Sequence, residues 1–151
     1  MLYNEKIFKR CFDQRGKRFL RNIKYIPLYF RLMRHLTKYG YDEYAEWETY
    51  DWFTDTMRTV LTRYRKNHKG SPILIDGFPA DTRAENYEAK EKENRELWDG
   101  IIDKMIALLN GMDENNAEYD GLSHTERMER MNAAKTEFFG LFSKYFYYLW
   151  D

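Results

Sequence analysis

One cysteine, three prolines and eight glycines among 151 residues exclude several kinds of protein at once. Cys11 alone cannot close an intramolecular disulfide, and no second thiol exists to share a structural zinc. A reducing compartment is the default expectation. No apolar run approaches the ~20 residues that span a bilayer, and residues 1–20 lack the apolar core of a signal peptide. A soluble, intracellular chain with no membrane partner is expected. The formal net charge is zero, which argues against a chain that binds duplex nucleic acid with its whole surface, because such affinity rests on phosphate neutralisation. Also missing are a GxxxxGK phosphate loop, a dinucleotide fingerprint, an HExxH and a paired CxxC. His35, His68 and His124 stand far apart, each without a second ligand at helical spacing, so neither a metal nor a cofactor is expected.

What is present is aromatic and charged. Tyr, Phe and Trp make up 18% of the chain and Asp, Glu, Lys and Arg 33%, a mixture that suits long amphipathic helices with bulky apolar stripes. The charge is unevenly placed. Residues 1–40 hold eleven Lys/Arg against Glu5 and Asp13, a balance of +9, and residues 41–151 carry −9. Such halves attract one another within a fold, pair between subunits, or offer the basic half to an anionic ligand.

Along the chain, Asn4 is placed to cap a short helix to about Gln14, which Gly16 interrupts. Pro27 fits the first turn of a second helix carrying Leu28, Leu32, Met33 and Leu36, with Gly40 as its stop. The stretch GYDEYAEWETYDWF (40–53) then opens a helix expected over 43–67 with Asp42 as cap. Steps of three and four put Trp47, Tyr50, Phe53, Met57, Val60, Leu61 and Tyr64 on one side. The intervening acids read as a solvated face. Trp52 falls opposite the stripe with Glu48, Asp55 and Thr59, which makes it a candidate for a partner or oligomer contact. Residues 67–81 read as an ordered loop. From Thr82 a long helix is expected, its first half RAENYEAKEKENRE projecting into solvent and its second half LWDGIIDKMIALLNGM apolar. GMDENNAEYDGL reads as an acidic, flexible loop. Ser123 and Glu126 form a capping box for a last helix bearing Met128, Met131, Ala134, Phe138, Phe142, Tyr145 and Leu149. Phe139, Phe146 and Trp150 leave that helix apolar nearly all round, so it is either central or meets another subunit. The expected fold is all-α, a single-domain bundle of four to five helices over 1–151, with a basic N-terminal segment (1–40) and an acidic helical body (41–151).

Three features could carry chemistry. KRFLRNIKYIPLYFRLMRH (17–35) mixes cations with rings, the combination a phosphate-and-base ligand needs, and nominates Arg18, Arg21, Lys24, Tyr25, Arg31 and Arg34. NHKGSP (67–72) could present backbone N–H groups, His68 and Lys69 to an anion. Asp99 and Asp103 lie one turn apart and could hold a divalent cation or act as acid and base, against the plainer reading of a solvated stripe. Cys11 shares an apolar stripe with Ile7 and Phe12, and buried thiols are usually inert.

Four segments taken in order, GYDEYAEWETYDWF, NHKGSP, LWDGIIDKMIALLNGM and FFGLFSKYFYYLWD, resemble a group of small tailed-bacteriophage proteins. That group shares an aromatic-acidic helix start, a His-Gly-x-Pro-like loop, a Trp…Ile-x-Asp-Lys-Met-Ile helix and a Tyr-Phe-x-x-Leu-Trp-Asp end. The resemblance covers residues 36–151. It departs at Lys69, which separates His68 from Gly70. It implies a phage origin, hence the cytoplasm of an infected bacterial host, and brings no catalytic residue with it. The expectation is therefore a non-enzymatic phage accessory protein that counters a host defence system by binding, either inhibiting a host protein or sequestering an anionic nucleotide signal. The alternative is a structural or replication-associated nucleic-acid-binding protein. A homo-oligomer is also expected, through Trp52 or through Phe139, Phe146 and Trp150.

Overall fold

The computed structural model describes residues 19–41 and 48–149, with side chains from residue 25 onward within those spans. Among them are four α-helices and no strand, as expected of an all-α chain: α1 (Phe19–Tyr39), α2 (Thr49–Asn67), α3 (Tyr87–Gly111) and α4 (His124–Tyr145), with 3-10 turns at Ala117–Tyr119 and Phe146–Tyr148. The helix expected over 4–14, the Asp42 cap and Trp47 lie outside the described residues. The polypeptide divides into two compact units, Met1–Thr59 and Val60–Asp151.

In the first unit, α1 begins well before Pro27, which is interior to the helix rather than in its first turn. Proline lacks the N–H that the carbonyl one turn back would accept, at a cost of about 3 kcal/mol in an unsupported helix. Beyond it the helix carries an apolar stripe: Leu32 is fully buried, with Leu28, Tyr29, Met33 and Leu36 of the same helix packed on it. Gly40 ends α1 at φ +80°, its N–H bonded to the Leu36 carbonyl at 2.8 Å, the left-handed stop that glycine adopts at low cost.

Helix α2 starts at Thr49, not at Glu43, with Glu48 as the last residue before it. Its first-unit portion also faces differently from the expected stripe. Tyr50 is 41% exposed, whereas Asp55, expected on the solvated face, is 1% exposed. Asp55 pairs with Arg58 one turn on, at 3.2 Å, and a neutralised carboxylate can be buried where an isolated one cannot. Aromatic spacing identified the helix but not its inner face.

The second unit is built on α3 and α4, which pack along their lengths as in a small helical bundle. Trp98, Ile102, Met105 and Leu109 on α3, Leu61 on the last turns of α2, and Phe138 on α4 are essentially inaccessible to water. Helix α3 starts at Tyr87 rather than Thr82, after a series of turns. Its polar first half does not simply project into solvent, because Asn94 lies one turn before Trp98 in the same stripe and is buried. Nor is 111–122 a flexible acidic loop. Asn116 accepts from the Glu118 N–H at 3.1 Å and donates to the Asn110 carbonyl at 3.2 Å, and the buried Tyr119 donates its hydroxyl hydrogen to the Gly111 carbonyl. Burial, reinforced by Glu118, pushes the Tyr119 hydroxyl above its ordinary pKa. Gly111 suits a close approach here: a Cβ would lie 3.2 Å from that of Ala134, a tight contact.

The capping box forms as expected. Ser123 accepts from the Glu126 N–H at 3.3 Å, and the Glu126 carboxylate accepts from the Ser123 N–H at 3.0 Å and from its hydroxyl at 2.6 Å. These bonds, the hydroxyl's first and the N–H's second, hold the Glu126 carboxyl below the usual carboxylate range. A depressed folded-state pKa gives stability that is present above the unfolded value and is lost as pH falls through the folded one. Ser123→Ala should cost about 1 kcal/mol at neutral pH. Denaturant titrations at neutral and acid pH should show this difference shrinking in acid; a constant gap would contradict the assignment.

Candidate functional site

Three places in the described structure gather chemically capable groups, one in the first unit and two in the second. The first lies where α1 ends and α2 begins. Sequence placed Arg31 and Arg34 on α1, and both are exposed there; Tyr25 is also exposed, at the outer edge of the helix. Arg21 and Lys24 belong to the same helix by backbone, with side chains outside the described set, and Arg18 precedes the described residues. The Gly40 turn folds Tyr41 back over the last turns of α1. His35 and Tyr39 rings lie 4.5 Å apart, Tyr41 meets His35 edge-on at 5.4 Å, and Tyr41 meets Trp52 edge-on at 6.4 Å. His35 Nδ1 is 2.8 Å from the Tyr41 carbonyl, so that nitrogen carries the proton and the imidazole is fixed in place. Lys38 lays its ammonium over the Tyr39 ring at 4.7 Å.

Trp52 is thus half-buried as one wall of an aromatic cluster, rather than standing alone opposite the apolar stripe. Its indole N–H has no hydrogen-bond partner among the described residues. Arg34 and Lys38, one helical turn apart on α1, form no ion pair among the described residues, and Lys38 meets the cluster at the Tyr39 ring. His35, Lys38, Tyr39 and Tyr41 were not nominated by sequence. The signal was available, since His35 and Tyr39 are spaced i, i+4 beside the i, i+4 pair Arg34 and Lys38, but the role of Tyr41 depends on the reversal at Gly40.

The second place joins NHKGSP to WDGIIDKM. His68 Nδ1 is 2.8 Å from the Gly70 carbonyl and Nε2 is 2.8 Å from Asp99. Both partners are hydrogen-bond acceptors. Arg65 reaches Asp99 at 3.2 Å and Asp103 at 3.0 Å. Tyr64 stacks on His68 at 5.1 Å and meets Trp98 edge-on. The two carboxylates singled out for metal or acid–base work are therefore bridged by the Arg65 guanidinium, and Asp99 is also bonded to His68. Among the described residues no group of three or more His, Cys, Asp or Glu is disposed to hold a metal ion. His68, nominated for an anion, has its side chain 4% exposed and turned on a carboxylate, while Lys69 is exposed beside it. Past this node Asn94 fastens the loop, donating to Ser71 Oγ at 2.9 Å and the Pro72 carbonyl at 2.7 Å and accepting from the Leu74 N–H at 2.6 Å.

The third is the outer side of α4 and the turn after it. Phe138 and Phe142 stack at 5.5 Å, and Phe142, Phe146 and Tyr147 continue edge-on at 5.3 and 5.4 Å. Phe138 is inside, whereas Phe139 and Phe146 are nearly half exposed and Tyr147 is 83% exposed. The last helix is therefore neither enclosed nor central. Trp150 lies outside the described residues.

Comparison with known proteins adds no further constraint. No family, curated protein or solved structure matches this chain. Among the described residues no helix is long and apolar enough to cross a membrane.

Proposed function

We propose that this chain is a phage accessory protein that acts by occupancy in the cytoplasm of an infected bacterial host, binding an anionic partner of a defence system at the cation-and-ring cluster of its first unit. The observation that carries the proposal is the Lys38 ammonium resting on Tyr39, whose ring belongs to the cluster of His35, Tyr41 and Trp52, with Arg34 one helical turn before Lys38 on the same helix. Phage origin is supported by the ordered motifs. Binding is favoured over catalysis because the carboxylates best spaced for chemistry are already paired by Arg65 and His68. Expression in a defended host, followed by plating of a phage that the defence restricts, tests it. Wild-type protein should restore plaques, and Arg34→Ala/Lys38→Ala should not. Equal rescue by both would refute the site.

The basic face of α1 also favours a second reading, a structural or replication-associated protein that binds nucleic acid. That reading requires DNA retention that weakens steeply with salt, and no retention at low salt disposes of it.

We further propose that a second copy covers the outer side of α4. Burying a phenylalanine is worth roughly 1.5–3 kcal/mol, so Phe139, Phe146 and Tyr147 from two subunits can together offset an association cost of about 4–15 kcal/mol. Light scattering should return a mass above the 18.5 kDa of one chain, falling to that value in Phe139→Lys/Phe146→Lys. A single-chain mass for the wild type at tens of micromolar would refute it.

A further inference from the structure

We infer that the ligand class of the first-unit cluster is a free nucleotide, its base stacked on Tyr39 and its phosphate held by Arg34 and Lys38. This rests on the reading of that cluster as the binding site. The ring best placed to receive a base is Tyr39, which is 51% exposed, while His35 and Tyr41, half-buried, lie 4.5 and 6.2 Å from it, centroid to centroid, and half-buried Trp52 meets Tyr41. The support is rigid: the His35 imidazole is fixed by the Tyr41 carbonyl, and Tyr41 is braced edge-on against Trp52 at 6.4 Å. A ring held in advance forfeits little entropy when a base lands on it. Base–ring stacking is indifferent to base identity and contributes roughly ten-fold or more in affinity.

The cations are suited to a phosphate in complementary ways. Arg34 offers a planar fork of donors that matches two phosphate oxygens, and Lys38 offers a mobile point charge. Lys38 already rests over the Tyr39 ring, 4.7 Å from its centroid, so its charge lies within reach of the phosphate of a nucleotide stacked there. Moving Lys38 from ring to phosphate exchanges a cation–π contact for a charge-assisted hydrogen bond and uncovers the ring for the base. Two cations match the charge of one terminal phosphate. A long polyanion would need a row of cations, whereas a compact site needs only this pair beside one open ring.

The test is calorimetric titration, at low and moderate salt, of the full chain with adenosine and guanosine monophosphates, the two nucleosides, and inorganic phosphate. Tryptophan fluorescence is followed in parallel in the wild type and in Trp52→Phe. Binding of the nucleotides at least ten-fold tighter than either nucleoside or phosphate alone, weakened at least ten-fold in both Tyr39→Ala and Arg34→Ala/Lys38→Ala, is the expected result. The fluorescence change on binding should be lost in Trp52→Phe, which keeps a smaller aromatic ring at that wall and removes the indole N–H. Helical circular dichroism equal to wild type certifies each variant as folded. Phosphate binding as tightly as the nucleotides would overturn the assignment of the rings. Absence of nucleotide binding, with plaque rescue still dependent on Arg34 and Lys38, would overturn this inference and leave the occupancy reading standing on a protein partner. Absence of both would overturn the two together.

Discussion

Trp98→Ala should unfold the second unit at ambient temperature. The indole is fully buried, with Tyr145 edge-on at 5.6 Å and Tyr64 edge-on at 6.4 Å, and so joins α2, α3 and α4 at one point. Truncating a buried tryptophan to alanine typically costs 3–5 kcal/mol, the lost transfer energy plus the cavity it leaves. Against a total stability of about 5–15 kcal/mol, that removes from about a fifth to all of what a domain has. The indole N–H has no hydrogen-bond partner among the described residues, so the cost is one of packing, and the steeply inclined tyrosine rings offer it at most weak contacts with their π faces. Thermal unfolding followed by circular dichroism should show a large fall in midpoint or no transition at all. Trp98→Phe should recover much of it. A Trp98→Ala melt within a degree or two of wild type would contradict the placement of this residue at the core.

Asn94→Leu should be the next most damaging change, and its effect should be local. The substitution keeps volume and apolar packing but strips the loop of three bonds, leaving the Leu74 N–H, the Pro72 carbonyl and the Ser71 hydroxyl without their partner. A polar group left unsatisfied on partial burial costs about 1–3 kcal/mol, and because water can reach some of these atoms a total of roughly 2–3 kcal/mol is expected. Asn94→Asp should do no better: it keeps an acceptor for Leu74 but sets an oxygen against the Pro72 carbonyl and buries a charge. The distinguishing readout is hydrogen exchange. The Leu74 amide should exchange many-fold faster and the loop should become open to proteolysis, while the buried part of α3 beyond Trp98 stays protected. Uniform loss of protection across the unit would show that Asn94 belongs to the global core instead.

These two residues also mark how far the sequence could be read. Trp98 is legible because an apolar residue recurs every three or four positions from it to Leu109, and that period alone identifies a buried stripe. Asn94 continues the same stripe one turn earlier, yet its polarity disguises it among the charges of RAENYEAKEKENRE. Only the arrival of three loop partners makes it an inside residue. Asp55 is hidden for the same reason, since its pairing with Arg58 permits a burial that its composition argues against. The caps were readable because their chemistry is local: Ser123 with Glu126, and Gly40 at positive φ. The candidate site was half readable. Arg34 was among the nominated cations of α1 and Lys38 was not, while the rings come from both sides of a chain reversal, and no helical period connects Tyr41 and Trp52 to His35. In the same way, His68 and Asp99 were each noticed separately, and their bond across 31 residues was not.

Native mass spectrometry of the protein purified directly from bacterial cells tests the central claim most directly. The account predicts a folded species heavier than its chains by the mass of a small, ultraviolet-absorbing anion that is released on denaturation. The same preparation of Arg34→Ala/Lys38→Ala should be folded and carry none. Wild type and variant that both carry the same added mass, or a wild type that never carries one while still rescuing a restricted phage, would contradict it.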